Sequence, residues 1–323
     1  MFIPVLLFIV GLVCLIKGGD WFVEGAAGIA KIFKMPHILV GATVVSIGTT
    51  LPELMVSASS AVMGHGEIAY GNAIGSIICN TALVAAVTIA IRPPMIDRGS
   101  LLMPTAFFFT AAAFYCAVAY IAGTFTRVTG IILLVMFFVY MTITVRSAIK
   151  NKDVGKQSAE EDEEKTRPVW QLIVLLIIGA ALIAVGADLL VDNGTLIAEA
   201  LGVPESVIAL TFVALGTSLP ELVTAISSLV KGYGALSLGN VIGANLLNLL
   251  LVTGMSCTLS PFAVPVGKKL AGIPASFIVD IPLMFFVMAF VTVPALIRGK
   301  LSRIQGIVLL IIYALFCIFQ FAG

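Results

Sequence analysis

Sliding the chain along itself by 168 residues lays Asp20 on Asp188, Pro36 on Pro204, Gly48 on Gly216, Glu53 on Glu221, Gly71 on Gly239 and Asn80 on Asn248 without a gap. From Gly18 to Asn80, 24 of 63 positions are identical to their counterparts, more than shared hydrophobicity gives. A membrane-spanning helix takes about 20 apolar residues. Blocks of that kind lie near 2–30, 38–63, 68–91, 101–122 and 128–149, and again near 169–199, 206–230, 235–258, 274–297 and 302–322. Each copy therefore holds five spans. Because five is odd, the second copy enters the bilayer in the opposite sense, the inverted-repeat arrangement of many secondary transporters. The expected fold is an all-α membrane protein of ten transmembrane helices, two inverted five-helix repeats with interrupted helices at the midplane. Its expected divisions are 1–149, a cytoplasmic linker 150–167, and 168–323, with the repeated cores near 36–90 and 204–258.

Composition agrees with a membrane chain: 60% of the 323 residues are hydrophobic and 11% charged, against roughly a quarter charged in soluble domains. The first block resembles a signal-peptide core, but without a basic leading region or a small-residue cleavage site it is read as a span. Cys14, Cys79, Cys116, Cys257 and Cys317 are scattered in apolar blocks without paired spacing, so they read as packing residues. His37 and His65 are the only histidines and sit at span ends, which disfavours an imidazole metal site. A net charge of +1 without a basic, aromatic-rich tract excludes nucleic acid.

Cations collect on cytoplasmic loops. With the N-terminus outside, the inner side holds Lys31, Lys34, Arg92, Arg98, Arg146, Lys150, Lys152, Lys156, Lys165, Arg167, Lys231, Arg298, Lys300 and Arg303, and the outer side only Arg127, Lys268 and Lys269. Both termini are then expected outside and the linker, a solvated acidic and basic connector, in the cytoplasm.

The repeated words are "GTTLPEL" from Gly48 and "GTSLPEL" from Gly216. Proline inside a helix lacks the amide hydrogen and clashes with the carbonyl of residue i−4. Breaks at Pro52 and Pro220 are expected to free carbonyls at Ser46 and Ile47, and at Ala214 and Leu215. In lipid such carbonyls survive only where protein, water or an ion satisfies them. Thr49, Thr50 and Glu53 lie within one helical turn, as do Thr217, Ser218 and Glu221. "GNAIGSIICN" and "GNVIGANLLN" add amides at Asn72, Asn80, Asn240 and Asn248 and the Ser76 hydroxyl. Two carboxylates among neutral oxygens suit Ca²⁺, which takes 6–8 oxygens in flexible geometry, or Na⁺. If only the loaded site crosses the barrier, competition between the two ions is antiport. Ca²⁺/H⁺ exchange, with a proton on a buried Glu in place of Na⁺, and a Ca²⁺-permeable channel stand as alternatives. Asp20 and Asp188 read as structural, the serine pairs at 59–60 and 227–228 as helix contacts, and Asp280 has no assigned role.

These residues resemble the two alpha-repeats of the sodium/calcium exchanger branch of the Ca²⁺/cation antiporter superfamily, over essentially the whole chain. The resemblance implies electrogenic exchange of several Na⁺ for one Ca²⁺ by alternating access, a two-span bundle sliding across a core. It places ligands at Thr49, Thr50, Glu53, Ser76, Asn80, Thr217, Ser218, Glu221 and Asn248 and at the carbonyls of Ser46 and Ala214. It implies no catalytic residue and no cofactor. The partners are the two transported ions and the lipid bilayer, with a monomeric transport unit. Two departures stand out: Ala244 occupies the place of Ser76, removing one hydroxyl, and Asn248 is neutral where some relatives carry Asp, which disfavours K⁺ co-transport.

Overall fold

The structure is a computed structural model that describes residues 2–32, 36–150, 167–200, 214–267 and 269–321. Ten helices follow the expected apolar blocks: α1 Phe2–Ile32, α2 His37–Val62, α3 Gly66–Ile91, α4 Arg98–Ala122, α5 Arg127–Lys150, α6 Val169–Ala200, α7 Ala214–Val230, α8 Gly234–Leu259, α9 Ser276–Arg298 and α10 Arg303–Phe321. Among the described residues nine are long and apolar enough to span a bilayer. The other is α7, whose expected span begins in residues 206–213, outside the described part. The linker expected at 150–167 likewise lies almost wholly outside it.

Glycine sets the packing of the two longest helices. A Cβ on Gly18 would sit 2.9 Å from the Gly179 carbonyl oxygen, one on Gly25 2.7 Å from that of Leu172, and one on Gly186 2.8 Å from that of Gly11. Backbone thus rests on backbone along α1 and α6, as small residues allow in membranes. As the number rises on α1 it falls on α6, so the pair is antiparallel. These two helices are repeat equivalents, and their opposed directions are what inversion requires. Between α2 and α8 the order runs the other way: Gly239 abuts Ile38, and Gly243, whose Cβ would reach 2.5 Å from the Ala42 Cα, abuts Ala42. That parallel pairing is expected when the second helix of one copy meets the third helix of the inverted copy.

The larger apolar core lies among α3, α4, α5, α8 and α9, built from Ile77, Phe108, Tyr115, Leu133, Tyr140, Leu250, Met284 and Met288. A smaller one, with Leu15, Phe22, Val23, Val40, Leu176 and Leu236, joins the α1–α6 pair to α2 and α8. Exposed Ile9, Ile131, Ile177 and Ile311 show that α1, α5, α6 and α10 present apolar faces outward, the surface lipid requires. Short backbone pairings tie the ends together. Strand β1 (Thr124–Phe125) pairs antiparallel with β2 (Phe262–Ala263) between α4–α5 and α8–α9. A bridge from Met95 to Lys300 joins α3–α4 to α9–α10.

The interruptions of the core helices are π-helical turns at Gly41–Val45 in α2, Asn80–Ala85 in α3 and Asn248–Val252 in α8. This corrects the expected position of the breaks. The α-helical ladder runs through Pro52 in α2 and through Pro220 in α7. A single missing amide removes one hydrogen bond, that to Gly48, while neighbouring bonds keep the helix intact. The Ser46 carbonyl is therefore not released by a break. In α2 the irregularity falls one turn earlier, in the wide π turn, and such turns cluster at functional positions. The Ala42 carbonyl in it accepts a hydrogen bond from the Tyr140 hydroxyl at 3.1 Å.

Candidate cation site at the helix crossing

The antiparallel and parallel crossings bring α2, α3, α7 and α8 together, and with them both copies of the repeated word. Glu53 and Glu221 are 0% exposed and face each other closely enough for their charges to repel. Thr49, Thr50, Ser46, Asn80, Asn248, Ser218 and Ser76 are also buried. The Glu221 carboxylate lies beside the hydroxyls of Thr49 and Thr50, and Ser218 lies beside the thiol of Cys79.

Burial alone does not define this cluster; the missing partners do. Both carboxyl oxygens of Glu53 and of Glu221, the hydroxyls of Thr50 and Ser218, and both amide atoms of Asn80 and of Asn248 find no hydrogen-bond partner among the described residues. A buried polar group left unsatisfied costs about 1–3 kcal/mol, and more when charged. So many in one place are tolerable only where something of opposite character can bind. Six of the expected ligands thus present unpaired polar atoms: Thr50, Glu53, Asn80, Ser218, Glu221 and Asn248. Thr49 donates to Asn240 Oδ1 at 3.3 Å, and the Ser46 hydroxyl donates to the Thr43 carbonyl at 3.1 Å. Ala214 and Thr217 lie in the first turn of α7, and their side chains fall outside the described residues.

Asn72 and Asn240, expected as oxygen ligands, sit one layer further out. Asn72 Nδ2 donates to the Ser57 hydroxyl at 2.8 Å and to the Glu53 carbonyl at 3.1 Å. Asn240 Nδ2 donates to the Thr224 hydroxyl at 3.0 Å. Their amide nitrogens are turned to the helices that carry the glutamates. Asp20 meets Lys231, whose Nζ donates to its carbonyl at 2.7 Å and lies 3.7 Å from its carboxylate, in keeping with a structural role. Asp280 accepts from Gln320 at 3.0 Å.

Sequence reading passed over three polar residues. Asn245 is fully buried with its Oδ1 unpartnered, and its amide donates to Thr81 at 2.7 Å beside Asn80. Its first-half counterpart is Ile77, so a search for duplicated polar positions drops it. Ser57 and Thr224 were hidden for the same reason, since their counterparts are Ala225 and Val56.

Ten helices in two inverted halves, nine of them long and apolar enough to span a bilayer among the described residues, with two carboxylates buried where the halves cross, define a secondary transporter for cations and not an enzyme. The family model for sodium/calcium exchanger proteins matches residues 3–146 and 171–322. The chain is 36% identical over 312 residues to the uncharacterized membrane protein MJ0091 of Methanocaldococcus jannaschii, covering 95% of this chain and 94% of that one. It is 29% identical to the sodium/calcium exchanger MaX1 of Methanosarcina acetivorans over 98% of each. Its fold superposes on a solved structure of the sodium-calcium exchanger NCX_Mj, soaked with Na⁺ and Ca²⁺, with a TM-score of 0.80 and 32% identity over 98% of this chain and 97% of that one. The chain belongs to the sodium/calcium exchanger family.

Proposed function

We propose that the protein is an electrogenic antiporter that exchanges several Na⁺ for one Ca²⁺ by alternating access. The unpartnered oxygens of Glu53, Glu221, Thr50, Ser218, Asn80 and Asn248 carry the reading. Hard oxygens in a flexible, partly neutral set suit Ca²⁺. Two carboxylates balance one Ca²⁺ or two Na⁺, so the two loads compete. Any further Na⁺ held on neutral oxygens adds net charge to the Na⁺-bound form and makes the exchange electrogenic. With either load the site is close to neutral, whereas the bare pair of carboxylates is costly to carry through the barrier. Coupling follows from that difference.

In this reading Thr49, Thr217, Ser76 and the carbonyls of Ser46 and Ala214 complete the ligand set. The transport unit is one chain, divided at 1–149, 150–167 and 168–323. Fourteen cations against three on alternate loops support termini outside and the linker in the cytoplasm.

The test is uptake of Ca²⁺ into liposomes holding the purified protein. An outward Na⁺ gradient should drive uptake, and an inside-positive potential should speed it, because more than two Na⁺ leave for each Ca²⁺. Uptake driven by a pH gradient alone would replace Na⁺ with H⁺ as the counter-ion. Uptake with no counter-ion would make the protein a channel.

A further inference from the structure

Two hydrogen-bond chains behind the site follow one logic although their residues differ. Thr224 has a single hydroxyl proton, and it goes to the Glu221 carbonyl at 3.0 Å. Toward Asn240 the hydroxyl can then only accept, which fixes the amide nitrogen on the Thr224 side at 3.0 Å and turns Oδ1 to the other side. There it meets the Thr49 hydroxyl at 3.3 Å. Thr49 shares its proton between Asn240 Oδ1 and the Ser46 carbonyl at 3.4 Å, so the rest of its oxygen offers lone pairs only, and Asn240, the anchor from the other copy, sets which way they point. All members are buried, Asn240 and Thr224 at 1% exposed and Thr49 at 2%. The chain therefore runs from the backbone of one site glutamate, through the second copy, to a hydroxyl of the first copy.

The first copy keeps the pattern with a displaced part. Asn72, the counterpart of Asn240, also gives its amide nitrogen to a hydroxyl, and unlike Asn240 gives it directly to the carbonyl of its glutamate, here Glu53, as well. The hydroxyl belongs to Ser57, four residues after Glu53, whereas Thr224 lies three after Glu221. The counterpart of Ser57 is Ala225, and that of Thr224 is Val56. The hydroxyl has moved by one residue while the Asn it serves has not. Packing alone has no use for that substitution of place.

We propose that Asn240 and Thr224 are positioning residues that hold Thr49 as an acceptor-only ligand for a bare cation, and that Asn72 and Ser57 form the corresponding bracket in the first half. The proposal rests on the cation-exchange reading of the site.

The test uses the purified full-length protein in detergent and follows thermal unfolding against NaCl, with choline chloride holding ionic strength. Thr224→Val keeps the shape and removes the acceptor, so the Asn240 amide can rotate and offer an N–H to Thr49. The Na⁺ concentration for half-maximal stabilisation should rise about tenfold, as expected when one charge-assisted contact is lost. Adding Ala225→Ser restores a hydroxyl at the place the first half uses, and should bring the value back to within about threefold. Asn240→Leu should show the same rise, and Ala225→Ser should not rescue it, because the hydroxyl acts through Asn240. An unchanged Na⁺ response in Thr224→Val, or a folded double variant without rescue, would overturn the proposal. If Thr224→Val does not fold, Asn240→Leu decides, and an unchanged Na⁺ response there has the same force. Failure of the wild type to take up Ca²⁺ on a Na⁺ gradient would instead sink the exchange reading, while the binding comparison would still decide the bracket.

Discussion

Glu53→Gln preserves the shape of the side chain and removes one negative charge from the helix crossing. In the ion-free protein the change relieves a conflict, since Glu53 and Glu221 are fully buried, repel each other and have no hydrogen-bond partner for any of their four oxygens among the described residues. A buried polar group left unsatisfied costs about 1–3 kcal/mol and more when it is charged, so the neutral amide is the cheaper occupant of this place. In the Ca²⁺-loaded protein the same change removes half of the negative charge that holds the ion. Breaking a buried charge interaction by deleting one partner costs about 3–5 kcal/mol, which at about 1.4 kcal/mol per decade weakens binding by a factor of about 10² to a few thousand. At a Ca²⁺ concentration one hundred times the wild-type dissociation constant, binding stabilises the wild type by about 2.7 kcal/mol, whereas a variant that binds about a hundredfold more weakly gains about 0.4 kcal/mol. Thermal unfolding in detergent, first with chelator and then with Ca²⁺, reads both terms. The variant should melt above the wild type in chelator and lose most of the Ca²⁺-induced rise. A variant that melts lower in chelator, or keeps the full rise with Ca²⁺, would show that Glu53 is satisfied by protein groups and does not hold the ion.

Thr49→Ala removes a ligand hydroxyl while leaving both carboxylates, so the Na⁺ concentration for half-maximal exchange in liposomes should rise about tenfold, with maximal Ca²⁺ flux less affected than in Glu53→Gln. Gly18→Val would place a side chain where a Cβ already comes 2.9 Å from the Gly179 carbonyl and the Ile183 amide nitrogen. Since this is backbone with no rotamer to yield, the thermal midpoint should fall, and exchange with it if the α1–α6 pair moves as one body. Asp97 caps the N-terminus of α4, accepting from the amides of Gly99 at 3.2 Å and Ser100 at 3.1 Å and from the Ser100 hydroxyl. These bonds, the Ser100 hydroxyl first, hold its carboxyl below the usual range. The stabilisation is therefore present at neutral pH and lost as pH falls through that lowered value. Asp97→Ala should cost about 1 kcal/mol at pH 7 and less in acid, read as a pH-dependent gap between the two melting curves.

Inversion was legible because it follows from counting: five spans per copy and a gapless offset leave no other sense for the second half, and α1 against α6 shows it directly. The carboxylates were legible because a repeated acid in an apolar span has few bland explanations. What stayed hidden depended on three-dimensional detail. Pro52 announces a disturbance, yet one missing amide does not break a helix held by its neighbours. The irregularity fell instead in a π turn at Gly41–Val45 that no residue pattern marks. The amides of Asn72 and Asn240 look like ligands in one dimension because sequence does not say which way an amide is turned. Their hydroxyl partners, Ser57 and Thr224, escape a comparison of the two halves because that comparison looks only for matches.

That blind spot bears on how the two halves can differ and still share one site. Ala244, the counterpart of Ser76, brings no hydroxyl, but Asn245 next door brings in an amide whose oxygen is buried and unpartnered, where the first half has the apolar Ile77. The bracket hydroxyl moves from one position to the next without losing its Asn. An inverted repeat constrains the site as a set of oxygens in space, and each half can reach that set from neighbouring residues, because one step along a helix changes direction by about 100° but height by only 1.5 Å. The contacts from the α1–α6 pair are of another kind, steric rather than polar. A Cβ on Gly48, the first residue of the repeated word, would come 2.7 Å from the ring tip of Phe22, and one on Gly19 2.5 Å from a Val223 methyl and 2.9 Å from the Ser227 hydroxyl. Here a side chain could be admitted only if Phe22 or Val223 and Ser227 shifted. The motif thus packs closely against the α1–α6 pair at Gly48, while its polar support can shift by a residue.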